Sequence, residues 1–146
     1  MFRIAPLTPL YRRVRIAPER DYGLRRPRQR SKEHLERIAA LSCVVPGCHV
    51  RPVHVAHIRY ACAADGADIV GKAMKPDDWR TLPLCPHHHL DGRRAQHRMN
   101  EEDFWASHGI NPYALARALW NMKGDHDAMC FLIERAPLLF PSLRSG

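Results

Sequence analysis

Cysteine and histidine are the residues whose types and spacing could do chemistry in this chain. There are five Cys and ten His, and seven of the His fall between His49 and His97. Cys43 and Cys48 are separated by four residues that include Pro46-Gly47, a pair suited to a knuckle turn. Cys85 and His88 are separated by two residues, after an apolar stretch and at the start of a helical pattern. Two short ligand pairs, distant in sequence, are what a tetrahedral Zn²⁺ site needs, since each turn supplies two ligands and the ion ties the turns together. The thiolates bind as anions, which couples such a site to folding. The bland alternative is buried free Cys beside unrelated His, and the paired spacing on both sides argues against it. Cys62 and Cys130 are isolated and read as small hydrophobes, with Cys62 still open as a substitute ligand.

The run His87-His88-His89 has to be divided between roles. Successive helical residues point about 100° apart. His88 completes the spacing from Cys85 and should face the zinc; His89 then points elsewhere, free for a second site, and His87 is expected to be exposed. His57 lies among small apolar residues on a predicted strand, three positions from His54. That odd offset predicts the two on opposite faces. A lone strand His is commonly structural, so on residues alone a structural and a functional His57 are equally open.

The elements that must position these groups are legible in outline, and an α+β class is expected. Ser31 reads as the N-cap of a helix over 32–41, with Leu35, Ile38 and Ala39 at helical spacing. Residues 52–58 read as a strand, and Thr81-Leu82-Pro83-Leu84 as the second arm of a hairpin, its Pro marking an edge. The stretch 61–76, rich in Gly, Ala and Asp, reads as a long loop. Helicity resumes at Pro86, with Asp91-Gly92 as a break. A helix from Glu101 should stop at Gly109, another should start at Asn111-Pro112, and Asp125 should cap a last one that Pro137 ends. These C-terminal helices read as packing elements.

Charge is distributed unevenly along the 146 residues. The formal net charge is +8. Residues 1–32 hold ten Lys/Arg against two acids, whereas residues 33–146 hold 13 of each and are neutral by count. The basic segment also carries four Pro and little periodicity, so residues 1–30 are expected to be a flexible arm and 31–146 the folded domain, with a helical extension from about residue 101. Such an arm suits contact with nucleic-acid phosphates, through Arg12, Arg13, Arg25, Arg26, Arg28 and Arg30. A solubilising tail or a membrane-surface patch are the alternatives, the second weakened by the lack of an apolar helical face. No run of about 18 apolar residues is present to span a membrane. The first residues carry no apolar stretch of a signal peptide, so an intracellular protein is expected.

The order of these motifs resembles that of HNH endonucleases, and more closely that of phage and prophage HNH proteins related to the phage recombination enhancement function. The resemblance is carried by Arg30-Ser31-Lys32, His34-Leu35, Cys43 and Cys48, Ala56-His57-Ile58-Arg59, Lys75-Pro76-Asp77-Asp78, Pro83-Leu84-Cys85, His87-His88-His89, Gln96-His97 and Phe104-Trp105. It spans roughly Arg30 to Leu119. It implies a small zinc-stabilised ββα-metal core, treble-clef-like, with added C-terminal helices, and hydrolysis of DNA phosphodiester bonds.

Carried over by position, the resemblance implies His57 as general base, His89 as a ligand of a catalytic divalent ion such as Mg²⁺ or Mn²⁺, and His97 as a second ligand. Cys43, Cys48, Cys85 and His88 would hold the structural zinc. It implies DNA as partner, a recombinase filament as a further one, and the cytoplasm of a bacterial host as location if the chain is phage-derived. Three positions depart from the pattern. Ala56 stands where the superfamily often has a metal ligand, and the middle Asn is absent, leaving Asp77 or Asp78 to brace the loop. On a straight helix the eight residues from His89 to His97 would rise about 12 Å, so Asp91-Gly92 must break the helix if His97 is to share a metal. A zinc-stabilised nucleic-acid-binding module without catalysis is the alternative reading, and a protein-interaction module using the C-terminal helices a weaker third.

Overall fold

The computed structural model describes residues 27–122 and 124–143. Its sheet has two antiparallel strands, β1 (His54–His57) and β2 (Thr81–Leu84), paired His54↔Leu84, Val55↔Pro83, Ala56↔Leu82 and His57↔Thr81. Pro83 is tolerated because its backbone faces away from β1. Its carbonyl accepts the Val44 N–H at 3.0 Å, so its missing N–H costs no ladder bond. The hairpin and its edge Pro are thus as the sequence indicates.

A two-stranded sheet of this size is marginal by itself. It is covered by α1 (Lys32–Ala39), which packs on both strands. Ser31 caps α1 as expected, its hydroxyl accepting the His34 N–H at 3.1 Å. The helix is shorter than the expected span, and its buried residues are His34 and Ile38, whereas Leu35 is half-buried and Ala39 exposed. His34 is fully buried with its ring edge-on to Trp120, 4.8 Å between centroids. An aromatic His there replaces the aliphatic pair that periodicity suggested.

The C-terminal helices supply nearly half of the core residues. They are α2 (Glu101–Ser107), α3 (Pro112–Asn121), α4 (His126–Glu134) and α5 (Ala136–Leu139). Asn100, Asn111 and Asp125 each accept a backbone N–H three residues on, capping contacts worth about 1 kcal/mol apiece. Gly109 takes a φ of +71° after α2, the left-handed conformation a helix stop requires. Pro137 does not end α4, which stops at Glu134; it sits in the first turn of α5, where a missing N–H is harmless. Phe104, Trp105, Tyr113, Leu115 and Leu119 join Ile38, Ile58, Leu82 and Leu84 in one core. The result is a mixed fold of helices around a small two-stranded sheet. Among the described residues no helix is long and apolar enough to cross a membrane.

A buried arginine shapes the loop after β1. Arg80 is 3% exposed, and its guanidinium donates to the carbonyls of Ile58, Arg59, Tyr60 and Asp68 at 3.0–3.2 Å and to the Tyr113 hydroxyl at 2.7 Å. The donors of one planar group thereby fix the turn of chain that follows β1.

Candidate metal centre and the neighbouring histidines

Cys43, Cys48, Cys85 and His88 come together, their ligand atoms all within 4.8 Å of one another. The knuckle turn delivers the first two. Gly47 adopts a φ of +81°, and the Cys48 N–H donates to the Val45 carbonyl at 3.0 Å. Cys85 follows β2 directly, and His88 lies on a single π turn, His87–Asp91. Tetrahedral ligands at the usual zinc bond lengths stand about 3.8 Å apart for two sulfurs and about 3.6 Å for sulfur and nitrogen. The separations are 3.8 Å for Cys48 Sγ–Cys85 Sγ, 3.6 Å for Cys43 Sγ–His88 Nδ1 and 3.3 Å for Cys85 Sγ–His88 Nδ1.

Burial pushes the Cys43 thiol up to about 12, against the opposing effect of backbone N–H groups of Cys85 and Val45. Burial also lowers His88, aided by the neighbouring His87 charge. A thiol so placed ionises only with a cation beside it, and a neutral imidazole is the ligand form. The group could hold a metal ion, and its three sulfurs and one nitrogen suit structural zinc. Cys62 is not part of it, since its thiol donates to Asp65 Oδ2 at 3.2 Å in the loop after β1. Cys130 sits on α4 with its sulfur 3.4 Å from His126 Nε2.

His89, one residue beyond His88, belongs to a different cluster. Its Nδ1 lies 2.8 Å from Nδ1 of His54, and its ring stands edge-on to His97, 4.7 Å between centroids. The expected break after the π turn is what brings His97 back. Gly92 ends the turn with extended backbone, its N–H donating to the His87 carbonyl at 2.8 Å. A Cβ on Gly92 would meet the His87 ring at 2.8 Å, so a side chain there would force the ring aside. The chain then makes a 3₁₀ turn over Gln96–Arg98, fastened by the Arg98 guanidinium on the Leu90 carbonyl at 2.8 Å. His89 is pushed down to about 4 by burial and by the charges of His97, His54 and His57. His54 meets His89, whereas His57 turns to Asp78.

His57 faces Asp78. Its Nε2 is buried without a hydrogen-bond partner of good geometry, 3.5 Å from Asp78 Oδ1. Asp78 is itself held by the Arg28 guanidinium at 2.7 Å and the Ser31 N–H at 2.9 Å. Burial alone would raise the Asp78 carboxyl, but those two donors outweigh it and hold it below the usual carboxylate range. Burial lowers His57 despite the Asp78 carboxylate beside it, so the imidazole is neutral near pH 7. The acid favours the proton on Nε2, which leaves Nδ1 as the basic nitrogen.

His57, Arg59, Gln96, His97 and Glu101 line a cleft of about 120 Å³. The size suits water and phosphate oxygens better than an organic ligand, whose pockets start near ~300 Å³. Gln96 closes its floor, its Nε2 donating to Glu101 Oε2 at 2.7 Å and to the His57 carbonyl at 3.3 Å. Glu101 accepts the backbone N–H groups of Arg59 and Tyr60 at 3.0 and 3.1 Å.

Of the expected phosphate contacts, Arg12, Arg13, Arg25 and Arg26 lie outside the described residues. Arg30 is exposed. Arg28 is engaged within the fold, bonding Asp78 and, through Nε, the Pro76 carbonyl at 2.9 Å. Gln29 adds a bond from its N–H to Asp77 Oδ1 at 2.8 Å, and its carbonyl accepts the Asp78 N–H at 2.9 Å. The last residues of the expected arm are therefore built into the domain, and Asp77 and Asp78 both brace it. His87 is exposed, as expected. Sequence reasoning did not bring His54, three residues before His57 on the same strand, to His89, and it missed Gln96 as a cleft wall. No family model, curated protein or solved structure matches the chain.

Proposed function

We propose that the chain is a metal-dependent HNH endonuclease that hydrolyses DNA phosphodiester bonds. The observation that carries this reading is that His57 and His97, from two separate segments, line one small cleft, with His89 edge-on to His97. The order hairpin then helical turn, with a Cys/His cluster at the junction, supports the ββα-metal reading of the fold. Here the helical part is a single π turn followed by a 3₁₀ turn, shorter than that pattern implies.

In this reading neutral His57 takes a proton from a water at the cleft through Nδ1, and Asp78 stabilises the imidazolium that forms. His89 and His97 hold a divalent ion, which when bound polarises the scissile phosphate and stabilises the leaving oxygen. An all-imidazole set suits Mn²⁺, Ni²⁺ or Zn²⁺ better than Mg²⁺. Gln96 and Glu101 fix the carbonyl of His57 and the chain after it, which holds the base in place. Arg30 and the more N-terminal arginines supply affinity for the phosphate backbone. A phage origin, a role in recombination or DNA processing with a recombinase filament as partner, and a cytoplasmic site of action belong to the same proposal.

A supercoiled plasmid should be nicked by the chain with added Mn²⁺ and left intact with a chelator. Ala56 favours a second reading, a zinc-stabilised nucleic-acid-binding module without catalysis, because it is fully buried and offers no ligand next to His57. Plasmid binding without any metal-dependent nicking is the outcome that selects it.

A further inference from the structure

Arg28 has the charge to suit a DNA phosphate, yet two of its donors are spent inside the fold. Its Nε donates to the Pro76 carbonyl at 2.9 Å and its Nη2 to Asp78 Oδ1 at 2.7 Å. That same carboxylate oxygen lies 3.5 Å from His57 Nε2. The other oxygen, Oδ2, accepts the Ser31 N–H at 2.9 Å. Each oxygen of Asp78 is held by a donor from the segment before α1, so residues 28 and 31 set the carboxylate that His57 faces. We propose that Arg28 is a positioning residue of the base, acting through Asp78 to hold the His57 ring and its Nε2 proton in place. The inference rests on the nuclease reading for the role of His57, and on the Arg28–Asp78–His57 geometry for the coupling.

A phosphate contact and a simple structural staple are the competing accounts. Against the first, Arg28 is pinned by the backbone beside it. The Gln29 N–H donates to Asp77 Oδ1 at 2.8 Å, and the Gln29 carbonyl accepts the Asp78 N–H at 2.9 Å. The guanidinium could turn to DNA only by giving up a carboxylate whose side chain is 3% exposed. Removing one partner of such a pair leaves the other charge buried and uncompensated. Against the second, the oxygen that Arg28 holds is the one His57 faces. Without Arg28, Asp78 keeps the Ser31 N–H on its far oxygen and is free to turn from the ring. The imidazole proton then has no fixed partner and spends time on Nδ1, the nitrogen that must accept the proton of water. Arg30, two residues on, is exposed and is the one of this pair left for phosphate.

The test is long-range ¹H–¹⁵N spectroscopy of the histidine rings in the full-length, zinc-loaded chain without DNA, with His57 identified by its loss in His57→Ala. The wild type should show His57 as one tautomer, protonated on Nε2. Arg28→Ala should move both His57 nitrogens toward tautomer-averaged shifts. Arg28→Lys restores a cation but not both hydrogen bonds, and should fall between the two. Asp77→Ala loosens the same junction at Gln29 and should leave the His57 signals in place. In plasmid assays, Arg28→Ala should nick ~10-fold more slowly, the lower end for losing an outer-shell partner, with the salt dependence of binding unchanged. Identical His57 signals in wild type and Arg28→Ala overturn the inference, as does an equal change in Asp77→Ala. A salt slope lowered by about 0.9 with the His57 signals unmoved returns Arg28 to the phosphate contacts. If the His57 signals do not move and the wild type still nicks, the inference falls and the nuclease reading stands. An Arg28-dependent His57 tautomer in a chain that never nicks DNA upholds the coupling and removes the nuclease reading.

Discussion

His88 and His89 are adjacent on one π turn and serve two regions of opposite character. His88 completes a group of three sulfurs and one nitrogen with tetrahedral spacing, two of its Cys buried. Such a set leaves no position for a substrate. His89 enters a cluster of imidazoles next to a cleft, with an exposed His97 at its rim. With zinc bound, the first region would be chemically closed and would tie the knuckle turn to the end of a two-stranded sheet that is marginal by itself. The second is open at the exposed His97. The π turn is what divides them: one residue of rotation sends neighbouring rings to different partners.

The largest effects are expected at the closed region. Removal of zinc by a strong chelator, or Cys85→Ser, should abolish the cooperative melt followed by circular dichroism, since structural zinc contributes ~10–16 kcal/mol in zinc-finger peptides. Retention of a cooperative melt without zinc would erase the mechanical difference between the regions. Next is the adjacent pair. His88→Ala should lower zinc affinity beyond the ~100-fold upper end for an outer-shell partner, whereas His89→Ala should keep its zinc and lose plasmid nicking. Loss of zinc in both would merge the two regions into one.

A smaller effect belongs to the basic segment. Deleting residues 1–26 should weaken DNA binding and flatten its salt dependence, the log–log slope falling by about 0.9 for every phosphate the segment neutralises. Deletion through residue 30 should in addition lower the melting temperature, because it removes Arg28 and Gln29 from Asp78 and Asp77. An equal salt slope with and without residues 1–26 would locate the DNA-binding surface in the folded domain instead. The smallest effect is on pH. Nicking should fall as the pH drops through the lowered pKa of His57, so the acid limb lies below the ordinary imidazole range near 6.5. Asp78 raises His57 against the effect of burial, so Asp78→Asn should move that limb lower still. A limb displaced upward would contradict the placement of the base.

What the sequence made legible follows from the range of the interactions. Ser31, Asn111 and Asp125 act on the next three residues, so their capping roles could be read locally. The two ligand pairs are also local, each within one turn, and their meeting follows from the need for four ligands. Gly92 signalled the break that returns His97, because a side chain there has no room. His54 was hidden for the opposite reason: alternation along a strand describes faces, and it says nothing of a ring arriving from the π turn across the strand. Arg80 was equally hidden, since its carbonyl partners are spread over 58–68 and the position carries no pattern of its own. His34 replaced the expected Leu35 and Ala39 in the core because Trp120, from a distant helix, supplies the ring it packs on.

The central claim is that His57 is the base of a metal-dependent nuclease whose zinc group is separate from its chemistry. The most direct measurement compares the plasmid-nicking rates of wild type and His57→Ala in Mn²⁺, each carrying one zinc per chain. The account predicts a rate at least ~10²-fold lower for the variant, the usual scale for loss of a general base. Equal rates at equal zinc content would contradict it.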